Sequence, residues 1–421
     1  MPVNRQDPVY LDHAATTPIS VPALAALTQE LSRSTNPSSL HGSGRRARMV
    51  VEDARETIAR AAGAHPSHVI FTSGGTESDN LAVKGLWWSR LAEDPARRVI
   101  LCSAIEHHAV QDAVEWLESH EGAEVTWLPV DAEGRIDLEA YRQALAEHAG
   151  RINFATLMWA NNEVGTIQPI AEFTALAAAH GVPVHSDAVQ AFGQIPVDFA
   201  ASGLATMAIS AHKIGGPVGI GALLVDRAVK LTPTQHGGGQ ERDLRSGTLD
   251  APAAAAFAVA AGEVSANLEG EHRRLTSLRD ELIAGVLERV PDARLSGPNP
   301  LAPKMYDGDA RLPANAHFTF PGTEGDSLLF LLDAAGVESS TGSACTAGVP
   351  RPSHVLLAMG MSEEQARGAQ RFTLGHSSTR EDVAALLDVL PEAYERARKA
   401  GMAGHESRIQ TAATVARSRA S

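Results

Sequence analysis

Between about residue 43 and residue 230 the chain alternates short runs of branched apolar residues with longer amphipathic stretches, and few folds accept that rhythm. The runs Val69 to Thr72, Val99 to Ser103, Val125 to Val130, Asn153 to Trp159, Val182 to His185, Thr206 to Ser210 and Gly221 to Val225 are mostly too apolar to keep one face in water. They predict buried, mostly parallel strands. Arg45 to Ala62, Ser78 to Leu91 and Ala109 to His120 place apolar residues at helical spacing with charges on the other face, so they would cover the sheet. The predicted class is α/β, with seven strands in a large domain. Asp250 and Pro252 then make a helix start, and a helical run to about Arg289 carries the chain into a second, smaller α/β domain. The boundary is placed near residue 265. A loop rich in Pro and Gly, Ser296 to Leu312, precedes an alternating strand, Ala316 to Phe320. Residues 401–421, small and polar with scattered arginines, read as a flexible tail.

Composition excludes several classes. With 421 residues, 44% of them hydrophobic and 20% charged, the chain can bury a large core, which rules out disorder over most of its length. A formal charge of −14 argues against direct nucleic-acid binding through a broad basic surface. Two cysteines, Cys102 and Cys345, cannot form a disulfide framework, so a reduced, cytoplasmic protein is expected. Residues 1–20 lack the basic start and apolar run of a secretion signal, and the alanine-rich stretch Ala251 to Gly262 is too short to span a bilayer. No membrane role follows.

Phe71 to Ser78 reads as a strand, a glycine turn and a helix start, where backbone N–H groups and a Thr hydroxyl can cradle a phosphate. Alone, such a turn is a common structural device, and the Gly-Lys-Ser/Thr ending of a Walker loop is absent. The glycines from Gly215 to Gly221 precede a strand instead of opening a helix, which fits a close-packed turn better than a dinucleotide fingerprint. His185 to Gln190 places Asp187 at the carboxyl end of a buried strand, and Ser210 to Lys213 places a lysine just past another. Taken singly, the Asp caps a loop and the Lys lies on the surface. Together with the cradle and with His107 of Glu106-His107-His108, they supply what pyridoxal 5'-phosphate (PLP) requires: an anion site, a carboxylate for the pyridine nitrogen, an amine and a stacking ring. A zinc site from His107, His108, His185 and Asp187 is disfavoured, because the adjacent histidines lack the spacing of a helical pair and no cysteine cluster supports them. No metal is expected.

The motifs in order resemble those of cysteine desulfurases of the NifS/IscS type, in the class V aminotransferase group of fold-type I PLP enzymes. The resemblance runs from about residue 9 to 395. It rests on Tyr10 to Thr17, Asn36 to His41, Thr72 to Asn80, Ala160 to Gly165, His236 to Arg242, Arg245 to Thr248, Gly342 to Thr346 and Arg371 to Gly375, beside the motifs already described. It implies a large PLP-binding domain over residues 15–264 and a small domain from residues 1–14 and 265–400. Lys213 would be the Schiff-base lysine, and His107 would stack on the ring and carry a proton for the substrate thiol. Asp187 would pair with the pyridinium nitrogen and Gln190 with the ring hydroxyl. Gly75, Thr76, Ser210 and His212 would hold the phosphate, with Thr248 added from the other subunit of a homodimer. Asn162 and Arg371 would hold the substrate carboxylate, a role suited to a bidentate guanidinium. Cys345, among Gly342, Ser343 and Thr346, would form the persulfide, whereas Cys102 sits in an apolar run and reads as core.

The implied reaction converts L-cysteine to L-alanine and supplies sulfur to acceptor proteins, an iron-sulfur scaffold or a tRNA-thiolation enzyme. Selenocysteine lyase and class V aminotransferase activities are the alternatives on the same scaffold. A non-catalytic sulfur-trafficking protein would not need Lys213, Asp187, His107 and Cys345 together. Departures from the commoner pattern fall at His13, Ile105, Gly215 and Val218, and none removes a proposed catalytic group.

Overall fold

The computed structural model describes residues 8–33, 35–302, 309–342 and 352–418, with side chains as far as residue 400. Its strands are β1 (Val9–Tyr10), β2 (Val69–Thr72), β3 (Val99–Ser103), β4 (Glu124–Leu128), β5 (Ile152–Thr156), β6 (Val184–Asp187), β7 (Thr206–Ser210), β8 (Gly221–Val225), β9 (Arg294–Leu295), β10 (Asn315–Thr319), β11 (Val337–Glu338) and β12 (Ala369–Thr373). Strands β2 to β8 form one seven-stranded sheet in the order β2-β8-β7-β6-β5-β3-β4. Only β8 runs antiparallel to its neighbours.

Both faces of this sheet are buried, and alternation along each strand feeds two separate cores. Val69, Phe71, Val99, Leu101, Met207 and Ile209 enter one core. Ile70, Ile100, Cys102, Phe154, Ala208 and Leu223 enter the other. Helices Val21–Leu31, Gly42–Ala61 and the first half of Ala251–Arg289 cover the first face, while Gly75–Glu93 and His108–Glu121 cover the second. The alanines from Ala251 to Ala261 let this long helix lie close against Val21–Leu31 and Gly42–Ala61. Asp250 starts it as expected, its side chain accepting from Ala253 N–H at 3.0 Å.

The second half of the same helix serves a different core. Leu275, Leu282, Ile283 and Val286 pack with Phe318, Phe320 and Phe372 from a three-stranded antiparallel sheet, β12-β10-β9. β1 joins this region by pairing in parallel with β11. The last helix runs Arg380–Ser418, so the backbone stays helical through most of the stretch that the sequence marks as a tail. Among the described residues, no helix is long and apolar enough to cross a membrane.

The turn connecting the sheet to the long helix is fixed by a buried ion pair. Glu241, 1% exposed, accepts from both terminal nitrogens of Arg55 at 2.8 and 2.7 Å and from the amide of Phe71 at 2.8 Å. Glu241→Gln removes the charge that compensates a buried guanidinium. The expected loss is about 3 kcal/mol of stability, read from urea unfolding at neutral pH, with much of it regained in Arg55→Met/Glu241→Leu.

Candidate active site

Six parallel strands point their carboxyl ends the same way, and β2, β3, β5, β6 and β7 or the segments that follow them line one cavity of ≈ 370 Å³. β2 leads through Ser73 and Gly74 into helix Gly75–Glu93. Gly74 takes φ +153°, and its position as helix cap leaves no side chain bonded to the first-turn amides. A Cβ on Gly74 would meet nothing within 4 Å, while one on Gly75 would come within 2.9 Å of Val189 Cγ2. Gly74 therefore leaves open space before a helix start whose N–H groups and dipole favour an anion, and Gly75 lets that helix start lie close to Val189. Thr76 and Ser210 border the same space, and the buried Ser210 hydroxyl has no hydrogen-bond partner among the described residues.

β6 runs two residues beyond the expected end because His185 and Ser186 still pair with β7, which brings Asp187 into the sheet itself. Asp187 accepts from Val189 N–H at 2.8 Å. Burial pushes its carboxyl up, opposed by His107, the Val189 amide and Lys213. Lys213 follows β7 in a single turn of 3-10 helix, and its Nζ donates to the carbonyls of Ala14 at 2.6 Å and Ala15 at 2.8 Å. Burial and the Arg371 guanidinium lower its pKa to about 8, against the pull of Asp187 and Asp12. Gln190 Nε2 shares the Ala14 carbonyl at 2.9 Å. His212 bonds Thr16 at 3.2 Å, and burial followed by the Lys213 charge lowers its pKa to about 4.

β3 leads to His107, which caps helix His108–Glu121 by accepting from Ala109 N–H at 3.1 Å. From the antiparallel sheet, Arg371 donates to the carbonyl of Asn162 and to Asp12, both at 2.8 Å, while its buried Nε has no partner among the described residues. The predicted residues Gly75, Thr76, His107, Asn162, Asp187, Gln190, Ser210, His212, Lys213 and Arg371 thus share one cavity wall. Thr248 is exposed and does not line it. Cys345 lies outside the described residues, but Gly342 before it and His354 after it both line the cavity. Cys102 is fully buried in the sheet and its thiol is pushed well up by burial, in keeping with a core role. None of the four departures, His13, Ile105, Gly215 and Val218, lines the cavity.

Asp79, His185 and Glu106 form a further buried polar cluster beside the cavity, of which Asp79 lines the wall. Asp79, one turn into helix Gly75–Glu93, lies 3.2 Å from His185 Nε2, and His185 Nδ1 lies 2.9 Å from the Thr206 hydroxyl. Burial, with Asp187 and Glu106 nearby, raises the Asp79 carboxyl, and burial lowers His185 to about 3. Glu106 accepts from the Thr156 hydroxyl at 3.1 Å and Met158 N–H at 2.9 Å, and burial with Asp187 raises it to about 8. An acidic side chain on the buried face of an apolar helix is the one signal that could have marked Asp79 in advance. Among the described residues, no three His, Cys, Asp or Glu side chains are grouped as metal ligands would be.

Residues 9–386 match the family described as aminotransferase class-V. A protein of Mycobacterium tuberculosis named IscS-like cysteine desulfurase is 55% identical over 394 residues, covering 94% of this chain and 98% of that protein. The chain belongs to the IscS/NifS-like cysteine desulfurases of the class-V aminotransferase family. A cysteine desulfurase IscS of Dictyoglomus turgidum is 42% identical, over 93% of this chain and 95% of the relative. Among solved structures, a NifS-like protein superposes with a TM-score of 0.82 at 33% identity, covering 91% of this chain and 98% of the other. SspA, solved in complex with cysteine, superposes with a TM-score of 0.73 at 33% identity, over 88% and 99% of the two chains. The class-V family depends on PLP, and the mixed seven-stranded sheet belongs to its fold.

The lowered Lys213 amine is directly measurable. In cofactor-free protein, an amine reagent should label Lys213 with a midpoint near pH 8, about two pH units below an ordinary lysine, because the reactive form is the neutral one. Asp187→Asn should move that midpoint lower still, since the carboxylate favours the ammonium. Peptide mass spectrometry across a pH series reads both.

Proposed function

We propose that the chain is a PLP-dependent L-cysteine desulfurase that takes sulfur from L-cysteine onto Cys345 as a persulfide, releases L-alanine and passes the sulfur to an acceptor protein in the cytoplasm. The observation that carries this reading is the convergence of Lys213, Asp187, His107 and Arg371 on a cavity that the residues flanking Cys345 also line.

The site fits the cofactor on its own chemistry: an open helix start beside an unpartnered buried hydroxyl suits a phosphate, a buried carboxylate suits a pyridinium, and a lysine with a lowered pKa suits a carbonyl. Gly75, Thr76, Ser210 and His212 hold the phosphate, joined by the partner subunit's Thr248 in a homodimer. Asp187 would hold the ring nitrogen and Gln190 the ring hydroxyl, and His107 would lie against the ring. When bound, PLP supplies an electron sink next to the substrate's α-carbon. Lys213 Nζ is the group that binds the cofactor and moves the α-proton. Arg371 and Asn162 fix the substrate carboxylate within the cavity that Gly342 and His354 also line. Arg371 is already anchored by Asp12 and the Asn162 carbonyl, which removes rotamer freedom before substrate arrives. The Cys345 thiolate attacks the sulfur, because a thiolate is the effective nucleophile at neutral pH. The acceptor is an iron-sulfur scaffold or a tRNA-thiolation enzyme.

Incubation with cysteine labelled at sulfur should release alanine and leave the label on Cys345. Cys345→Ser should reduce alanine formation by about 10³-fold or more, a loss typical of removing a nucleophile, while retaining the visible absorbance of bound PLP. Cys102→Ser should keep the activity. Label on Cys102, or unchanged alanine release from Cys345→Ser, would refute the assignment.

A further inference from the structure

Asp79, His185 and Asp187 meet on one face of the large sheet. His185 and Asp187 are two residues apart on β6, so their side chains stand on the same face, where His185 opposes Thr206 and Asp187 opposes Ala208 of β7. Helix Gly75–Glu93 covers that face and brings Asp79 to it. Asp79 and Asp187 both line the cavity. Asp79 is 1% exposed, and its ion-pair partner among the described residues is the fully buried His185, whose Nε2 lies 3.2 Å away. The other ring nitrogen lies 2.9 Å from the Thr206 hydroxyl, which can donate or accept.

Three arrangements of protons satisfy both contacts. A carboxylate facing a neutral imidazole leaves a negative charge that, among the described residues, no lysine or arginine pairs with. A carboxylate facing an imidazolium takes two ions out of water. A carboxylic acid donating to an unprotonated Nε2 leaves no charge at all, and a site this dry favours it, because an isolated buried charge is the most costly state and a buried ion pair still carries two desolvation penalties. Asp187 and Glu106 add to the cost of a carboxylate at Asp79, and burial opposes an imidazolium at His185. An acid hydrogen in this position needs an acceptor. Without the His185 lone pair it would turn to the Asp187 carboxylate, and a carboxylate that already shares its charge with a neighbouring acid holds a pyridinium less strongly.

We propose that His185 is a positioning residue for the cofactor's ring nitrogen: its Nε2 lone pair takes the acid hydrogen of Asp79 and so keeps the Asp187 carboxylate free to hold the pyridinium. The proposal rests on the reading of Asp187 as the partner of that nitrogen. His185 acts through Asp79, and Thr206 orients its ring from β7. The surrounding groups leave this arrangement in place. Glu106, beyond the end of β3, is already engaged by the Thr156 hydroxyl and the Met158 amide. His107, the Val189 amide and Lys213 act on Asp187, where they favour the carboxylate.

Two measurements test the assignment. Nitrogen NMR of cofactor-free protein labelled at histidine, with the His185 signals assigned through His185→Gln, should show Nδ1 protonated and Nε2 unprotonated at neutral pH. A proton on Nε2 would overturn the proposal. Equilibrium dialysis of cofactor-free protein against PLP reads the consequence. His185→Leu removes the acceptor and should weaken binding about tenfold, as expected for about one pKa unit lost at Asp187. His185→Gln still offers an amide oxygen to Asp79 and should bind within about threefold of wild type, since one acceptor replaces another. His185→Leu/Asp79→Ala should recover most of the loss, because the acid that would engage Asp187 is gone, whereas a simple packing defect would deepen in the double variant. Unchanged affinity in His185→Leu, equal weakening by Leu and Gln, or a further loss in the double variant would each overturn the role of His185. An Asp187→Asn variant that binds PLP as tightly as wild type would instead overturn the reading of Asp187.

Discussion

The architecture turns on the desolvation of charge at the carboxyl ends of parallel strands. Asp79, Glu106 and Asp187 are buried near one another, and three carboxylates cannot all ionise in so little water. Asp79 and Glu106 are pushed toward the protonated form. Asp79 lies 3.2 Å from His185 Nε2, and His185 Nδ1 lies 2.9 Å from the Thr206 hydroxyl. Burial raises Asp187 as well, but there His107, the Val189 amide and Lys213 oppose the rise.

The same cost acts on Lys213. A pKa lowered from 10.5 to about 8 corresponds to about 3 kcal/mol of lost preference for the ammonium. Its two hydrogen bonds go to the carbonyls of Ala14 and Ala15, which belong to the segment just after β1. The amine is therefore steered by a stretch of chain nearly two hundred residues away in sequence. Arg371 depends on the same segment through Asp12. Lys213 and Arg371, which come from different sheets, are thus positioned by one short piece of chain.

Most of the large sheet was legible because burial on both faces leaves an apolar signature, and the expected Thr206–Ser210 and Gly221–Val225 strands match residue for residue. β4 stops at Leu128, two residues early, because Pro129 has no N–H for the ladder. β6 runs on to Asp187 because its backbone still pairs with β7 there, which an apolar-run criterion cannot detect. β9, β11 and β1 have two residues each, too few for any periodicity. Within the site, the motif residues from Gly75 to Lys213 named above line one cavity with Arg371, whereas Thr248 does not and Cys345 lies outside the described residues. Asp79 and His354 were missed because they are held by pairings with His185 and with the Glu106 carbonyl, contacts distant along the chain.

The pairing of Val9 with Val337 gives the fold a temporal asymmetry during synthesis. A chain emerging amino end first can complete the seven-stranded sheet once Val225 is out, and with it the Asp187 and Ser210 walls. The partner of β1 is then more than a hundred residues from being made, and Arg371 comes later still. Until those segments arrive, the nascent molecule has Asp187 and Lys213 without Arg371. Linking Asp12 and Ala14 to the late-made strand β12 therefore postpones completion of the cavity wall until most of the chain has been synthesised.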